Sequence, residues 1–464
     1  MSITTTRLQS MQPTDIGVDG PTPFDMAKAF HSVRRDPLSF LRRVSEQYGD
    51  LVAFPVPGPP ALLVNDPDDV RHVLQEANRN WVKRTVQYGA LARVTGQGLL
   101  ASAEPAWIEH RRLAAPAFHH QRLEAVSDEV RMAADHALVE GLGHLQPGAS
   151  DVVDVAALTH HVGLGAVGRA LFSADLSGHA QRLLDATSNA AGLVVRLGRS
   201  VLPTADWAPT PTNMRLRMTR RRLDAITADL VAERRAYGRG GPGSVYGDDL
   251  LGLLLDSGLS DAQVRDELVT MVIAGHETVA AALAWTLMLL AEQPDVQDRV
   301  REELVELGRP VSMLDHRKAV PWTRAVVDEA LRLYPPAWAI SRRSVGPDMI
   351  SGIDVPAGTM AIISPWLVHR RAASWSEPLA FRPERFLGAG TGRTGYLPFG
   401  QGPRLCIGRE FAIGEMVVVL SRLLMCNRVS VPSDWTRPRP AALVAVHPRG
   451  GMPLLLTRLG PGRG

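Results

Sequence analysis

Cysteine and lysine are both scarce in this chain. Two cysteines, Cys406 and Cys426, stand in 464 residues. That argues against a disulfide framework and rules out an iron–sulfur cluster of the usual four-cysteine kind. Lysine occurs only at Lys28, Lys83 and Lys318, so the basic residues are almost all arginine. With abundant Ala, Gly and Pro, this is the bias of a GC-rich bacterial genome and carries no chemistry. Net charge is only +3 although the pI is about 9.1, and no clustered basic footprint for nucleic acid stands out. The longest apolar stretch, Val279 to Ala291, is too short to span a bilayer and reads as a buried helix. The start, Met1 to Arg7, lacks an apolar core segment, so neither a signal peptide nor a membrane anchor is expected. A soluble, reducing, cytoplasmic setting is the expectation.

Hydrophobic residues make up 45% of the chain, enough for one large core. Residues 1–22 read as a flexible N-terminal segment, and 23–464 as a single domain, mainly α with small β-sheets. Pro37 to Tyr48 carries Phe40, Leu41, Val44 and Tyr48 at helical spacing. Leu51–Pro55 and Ala61–Asn65 read as a hairpin across the Pro-Gly-Pro-Pro turn. Trp107 to about Arg235 is mainly helical, and Gly238 to Gly243 reads as a surface loop. Ser260-Asp-Ala-Gln263 is a capping box opening a helix that stops near Pro294, roughly 50 Å long. Helices continue to Leu333, short strands come next from Ser341 to Ile363, and a helix opened by Cys406 runs to about Leu424. Leu443 to Leu456 reads as a terminal hairpin.

Cys406 lies in Phe399-Gly-Gln-Gly-Pro-Arg-Leu-Cys406-Ile-Gly408. Gly400, Gly402 and Gly408 allow backbone to lie close against something flat. A helix start would offer N–H groups and the positive dipole end to a thiolate. Ile413, Met416, Val417, Leu420 and Leu424 form the apolar stripe that anchors the next helix. One thiolate with no second cysteine nearby points to axial ligation of haem iron. Cys426, twenty residues on, reads as core filler. Within the long helix, Ala274-Gly275-His276-Glu277-Thr278 breaks an apolar run with an acid and an alcohol, groups that can relay protons. The bland alternative is a helix bend with Thr278 bonded back to a carbonyl one turn earlier. His276 reads as a satisfied helix histidine.

The loop Phe399–Gly408 resembles the haem-binding loop of the cytochrome P-450 family, and the rest of the chain matches that family in motif order. Ala274–Thr278 resembles its oxygen-activating motif, with Thr278 as the alcohol and Glu277 as the acid. Trp107-Ile-Glu-His-Arg111 resembles its early-helix haem motif. Arg343 and Arg404 match two further positions that meet haem carboxylates. Glu329-Ala-Leu-Arg332 and Arg385, within Phe381-Arg-Pro-Glu-Arg-Phe386, match its structural clamp, which holds the thiolate loop and is not catalytic. The resemblance is to the longer Trp-xxx-Arg branch that oxidises fatty acids or terpenes.

The resemblance implies the family's single-domain fold, with haem b between the long oxygen-activating helix and the Cys-loop helix. Haem contacts would be Cys406, Trp107, Arg111, Arg343, Arg404, Phe399, Gly400, Gly408 and Ala274. It implies a monooxygenase that hydroxylates, epoxidises or multiply oxidises a hydrophobic small molecule, a terpenoid, fatty acid or polyketide of bacterial secondary metabolism. Substrate contacts would come from Ala274, Ala337, Ile340, Val444 and Ala445. Too few residues lie beyond Cys406 for a reductase module, so electrons would come from NAD(P)H through a ferredoxin and its reductase. A monomer is expected. Two alternatives stand beside this: oxidative coupling or rearrangement without oxygen insertion on the same haem-thiolate fold, and a non-catalytic haem sensor.

Overall fold

Ser260 caps the longest helix, Asp261–Glu292, with its hydroxyl and with Gln263 reaching back to the Ser260 N–H. This is the reciprocal cap expected of the Ser-x-x-Gln spacing. In this computed structural model the described residues are 16–56, 58–173, 180–198, 207–238, 245–388 and 394–460. Most of residues 1–22 and of the Gly238–Gly243 loop therefore lie outside them.

Two compact units emerge from the backbone packing. One draws on the chain up to Gly89, on Ala337–Ala380 and on the segment ending at Cys406. The other draws on Ala90–Pro336, on the segment from Phe381 and on the chain from Ile407 onward.

The first unit is built on a five-stranded sheet in the order Leu51–Phe54, Ala61–Val64, Met360–Ile363, Ile340–Ser344, Trp81–Val82. The first two strands form the expected antiparallel hairpin, pairing Leu51 with Val64. Ala61–Val64 then runs parallel to Met360–Ile363, so the sheet is mixed. Leu62, Val64, Trp81, Ala361 and Ile363 bury one core, and the helix Pro37–Tyr48 buries Phe40, Leu41 and Val44, with Phe40 stacked on Phe54. Ahead of that helix, the Asp19 carbonyl accepts from Ala53 N–H at 3.0 Å, extending order into the N-terminal segment.

The second unit is helical and centred on Asp261–Glu292. Of its described helices this one is long and apolar enough to cross a membrane, yet 83% of its apolar window is buried in the protein. It is a core helix. Val155–Phe172 packs along it so closely that a Cβ at Gly275 would stand 2.9 Å from Val167 Cγ2. Gly275 therefore serves a helix–helix contact. Leu443 to Leu456 does not form one hairpin. The hairpin is Pro440–Ala442 with Val446–Pro448. Pro453–Arg458 instead pairs on both sides, with Ser150–Asp154 and with Asn427–Ser430. Leu454 and Leu456 are buried and Leu455 half-buried, and the pairing is set by distant segments.

Candidate functional site

The cysteine loop closes on itself before any helix begins. Gly400 and Gly402 hold φ +75° and +73°, which L side chains adopt only with strain. Gly402 also has no room, since a Cβ there would lie 2.1 Å from the Leu74 carbonyl oxygen. Leu405 N–H donates to the Gly402 carbonyl at 2.9 Å, and Cys406 N–H donates to the Phe399 carbonyl at 3.0 Å. Cys406 is exposed and not in a disulfide.

The next helix is Arg409–Cys426, with Gly408 as its N-cap. Cys406 lies two residues before that cap and does not open the helix. A Cβ at Gly408 would sit 3.5 Å from the Phe118 ring, and Gly408 φ is −88°. Neither the contact distance nor the backbone angle requires glycine here. Ile413, Met416, Val417, Leu420 and Leu424 are all buried, as the stripe predicts. Cys426 is the last residue of that helix and only half-buried, so it is not core filler. In the first unit Arg343 sits in the strand Ile340–Ser344 and donates to the Gly358 carbonyl at 3.3 Å. Arg404 and Phe399 are half-buried there.

On the long helix, Thr278 Oγ1 donates to the Ala274 carbonyl at 2.7 Å. That is the back-bond expected of a threonine at this place. Glu277 is 3% exposed, and its Oε2 is buried without a hydrogen-bond partner. Burial alone pushes its carboxyl up to about 8, because the charged form is the one desolvation penalises. The residue is therefore a neutral acid at pH 7. His276 is satisfied, with Nδ1 2.8 Å from the Val272 carbonyl. Its ring meets His160, which stacks on His447 in turn. Burial lowers His276 and His447 to about 4.

The helix Ala106–Ala114 carries Trp107 and Arg111, and the Arg111 guanidinium lies 5.7 Å from the Trp107 ring centroid. One helical turn brings them together as the spacing implies. Glu329 and Arg332, both fully buried, are joined by Nε–Oε2 at 2.7 Å and Nη2–Oε1 at 2.8 Å. Arg385 Nε reaches Glu329 Oε1 at 3.2 Å, and the Arg382 N–H donates to the same oxygen at 2.9 Å. Of the proposed substrate contacts, Ile340 and Ala445 are buried, Ala274 and Val444 half-buried, and Ala337 exposed.

Sequence reasoning passed over His110 and Glu267, whose Nδ1 and Oε1 stand 2.7 Å apart, both buried. The available sign was an Arg265-Asp266-Glu267 charge run interrupting an apolar helix face. Arg93 donates to Asn213 Oδ1 at 2.9 Å.

This donor set fits haem. Among the described residues no cluster of three or more His, Cys, Asp or Glu could hold a metal ion. The first unit offers an exposed thiol on a glycine loop, and the second an indole and guanidinium suited to carboxylates and a buried acid next in sequence to an alcohol.

Comparison with known proteins gives a consistent picture. The family model described as cytochrome P450 matches residues 19–454. Pentalenene oxygenase of Streptomyces avermitilis is 32% identical over 449 residues, covering 94% of this chain and 96% of that protein. Cyclooctat-9-en-7-ol 5-monooxygenase of Streptomyces melanosporofaciens is 31% identical over 430 residues, 88% of this chain and 86% of that one. A cytochrome P450 structure from Thermus thermophilus superposes with TM-score 0.75 at 30% identity, covering 96% of this chain and 100% of that chain. A six-coordinated cytochrome P450 from another strain of the same species gives 0.71 at 30% identity, covering 92% and 99%. The mainly helical fold with small sheets is the one these structures share.

Proposed function

The chain belongs to the cytochrome P450 family and is a haem-dependent monooxygenase, and we propose that it oxidises a terpenoid skeleton with electrons from a ferredoxin and its reductase. The terpenoid class is supported by the two Streptomyces relatives, which act on pentalenene and on cyclooctat-9-en-7-ol. The largely apolar set Ala274, Ala337, Ile340, Val444 and Ala445 suits such a substrate. We assign residues 23–464 to one haem domain working as a monomer in the cytoplasm, a setting that two free cysteines suit.

In this reading Cys406 would hold the haem iron through its thiolate. Trp107, Arg111, Arg343 and Arg404 would serve its carboxylates, and Phe399, Gly400, Gly408 and Ala274 would line its ring. When bound, haem supplies dioxygen binding and reductive cleavage, which an axial thiolate favours by donating electron density. The protein's own part is proton supply. Glu277 stays protonated to about pH 8, so its carboxyl can give a proton at neutral pH. Thr278 spends its hydroxyl hydrogen on the Ala274 carbonyl, which leaves its lone pairs to accept. General acid catalysis of this kind contributes ~10²–10⁴ in rate.

The observation that carries the reading is the buried Glu277, its Oε2 without a hydrogen-bond partner, next in the chain to Thr278 on the long helix. The haem assignment is tested by the reduced, CO-bound spectrum. The wild type should show the red-shifted Soret band of a thiolate ligand, and Cys406→Ala should lose it. An unchanged spectrum in that variant would sink the assignment. Mass spectrometry of product formed under isotope-labelled dioxygen separates oxygen insertion from coupling.

A further inference from the structure

Three consecutive side chains near the start of the long helix hold the chain segment that precedes Trp107. Arg265 Nη1 and Nη2 donate to the Val94 carbonyl at 3.4 and 3.3 Å, and Arg265 Nε bonds Asp224 at 2.6 Å. Asp266 Oδ2 accepts the Gln97 N–H at 2.7 Å. Glu267 faces the Leu99 N–H and the His110 ring. The loop lies directly on the helix, and glycines make that possible. A Cβ at Gly98 would stand 2.3 Å from Thr270 Oγ1, and one at Gly96 2.0 Å from the Asp266 carboxylate.

Glu267 is the centre of this contact. It is 1% exposed and His110 is 5% exposed. Glu267 Oε1 and His110 Nδ1 stand 2.7 Å apart, and Thr270 Oγ1 is buried without a hydrogen-bond partner. Burying such groups is costly, so an apolar residue would serve packing better. Burial raises the Glu267 carboxyl above its usual range, with the Leu99 N–H and His110 opposing and Asp266 adding to the rise. His110 directly precedes Arg111 on the helix that carries Trp107. One carboxyl thus touches the loop, the Trp107–Arg111 helix and the oxygen-activating helix together.

We infer that Glu267 is a positioning residue that sets the Trp107–Arg111 helix and the 96–99 loop on the oxygen-activating helix through His110 and the Leu99 amide. Its consequence for haem rests on the function proposed above, while the positioning itself does not.

The test compares Glu267→Leu, Glu267→Gln and His110→Phe in the full chain as purified. The first readout is amide hydrogen exchange, which needs no bound haem and no turnover. Glu267→Leu and His110→Phe should speed exchange in 94–100 and 106–114 while leaving 155–172 and 321–333 unchanged. Glu267→Gln, which keeps an acceptor, should restore protection in 94–100. The second readout is haem retention and the haem reduction potential. Glu267→Leu should weaken haem binding at least tenfold and shift the potential, and Glu267→Gln should recover most of both. A uniform rise in exchange across the chain, unchanged exchange in both segments, or Leu and Gln variants that behave alike would each overturn the inference. If the wild type bound no haem, the proposed function would fall and the exchange result would still decide the positioning role. If Glu267→Leu does not fold, His110→Phe carries the same readouts.

Discussion

Glu329 and Arg332 face each other one helical turn apart, with no exposed side-chain surface on either and two hydrogen bonds of 2.7 and 2.8 Å between them. Arg385 and the Arg382 amide complete the shell around the same carboxylate. Removing one partner strands a buried charge, so Arg332→Leu should destabilise the fold by about 3–5 kcal/mol. Arg385→Leu should cost less, because Arg332 still neutralises Glu329. Urea unfolding midpoints of the two variants measure the difference, and equal losses would contradict this arrangement.

The proton-supply residues predict a pH limb. Turnover that needs protonated Glu277 should fall as pH rises through about 8, where the carboxyl ionises. Glu277→Gln should lower product formation ~10²-fold or more and remove that limb. Thr278→Ala should divert reducing equivalents from product to peroxide. Rates of NAD(P)H consumption and product formation, measured together across pH, check all three outcomes.

Glu277 also links stability to pH. Its folded-state pKa is raised from 4.5 to about 8, so the folded protein binds the extra proton between those values. Stability from this group is therefore greatest below 4.5 and is lost as pH rises toward 8. Glu277→Gln should be more stable than wild type at pH 8, by up to a few kcal/mol, with the advantage shrinking toward pH 5. Thermal midpoints at the two pH values test the sign.

His276 acts at the other end of the scale. Its folded pKa is lowered from 6.5 to about 4 by burial, so the unfolded chain binds the proton first. Its contribution is present above 6.5 and lost as pH falls toward 4, at most about 3 kcal/mol. His447, lowered in the same way, adds to this acid sensitivity. His276→Gln should flatten the loss of stability between pH 6.5 and 4, as read from unfolding curves at each pH.

Gly402 has two reasons to be glycine. The left-handed φ alone costs an L-residue about 1–3 kcal/mol, and a Cβ would meet the Leu74 carbonyl oxygen at 2.1 Å. Gly402→Ala should lower the melting midpoint and shift the Cys406 loop. Gly408→Ala, with ordinary φ and a 3.5 Å ring contact, should be tolerated far better. Melting curves of both variants provide the comparison.

By itself the sequence determined the features that short spacing sets. The capping box at Ser260 and Gln263, the helix Pro37–Tyr48, the hairpin from Leu51 and the Glu329–Arg332 pair are all local, because helical and strand periods place such residues together without help from elsewhere. The Cys406 loop was legible for the same reason, its glycines lying within a few residues of the sulfur. Tertiary structure alone decided how these pieces are solvated and what they meet across the chain. It put Pro453–Arg458 between two distant strands, spent Gly275 on Val167, began the last helix at Arg409, and joined His110 to Glu267. Above all it buried Glu277. An acid's charge state at neutral pH depends on how much water its surroundings remove, and that is a property of the packed fold that residue order does not display.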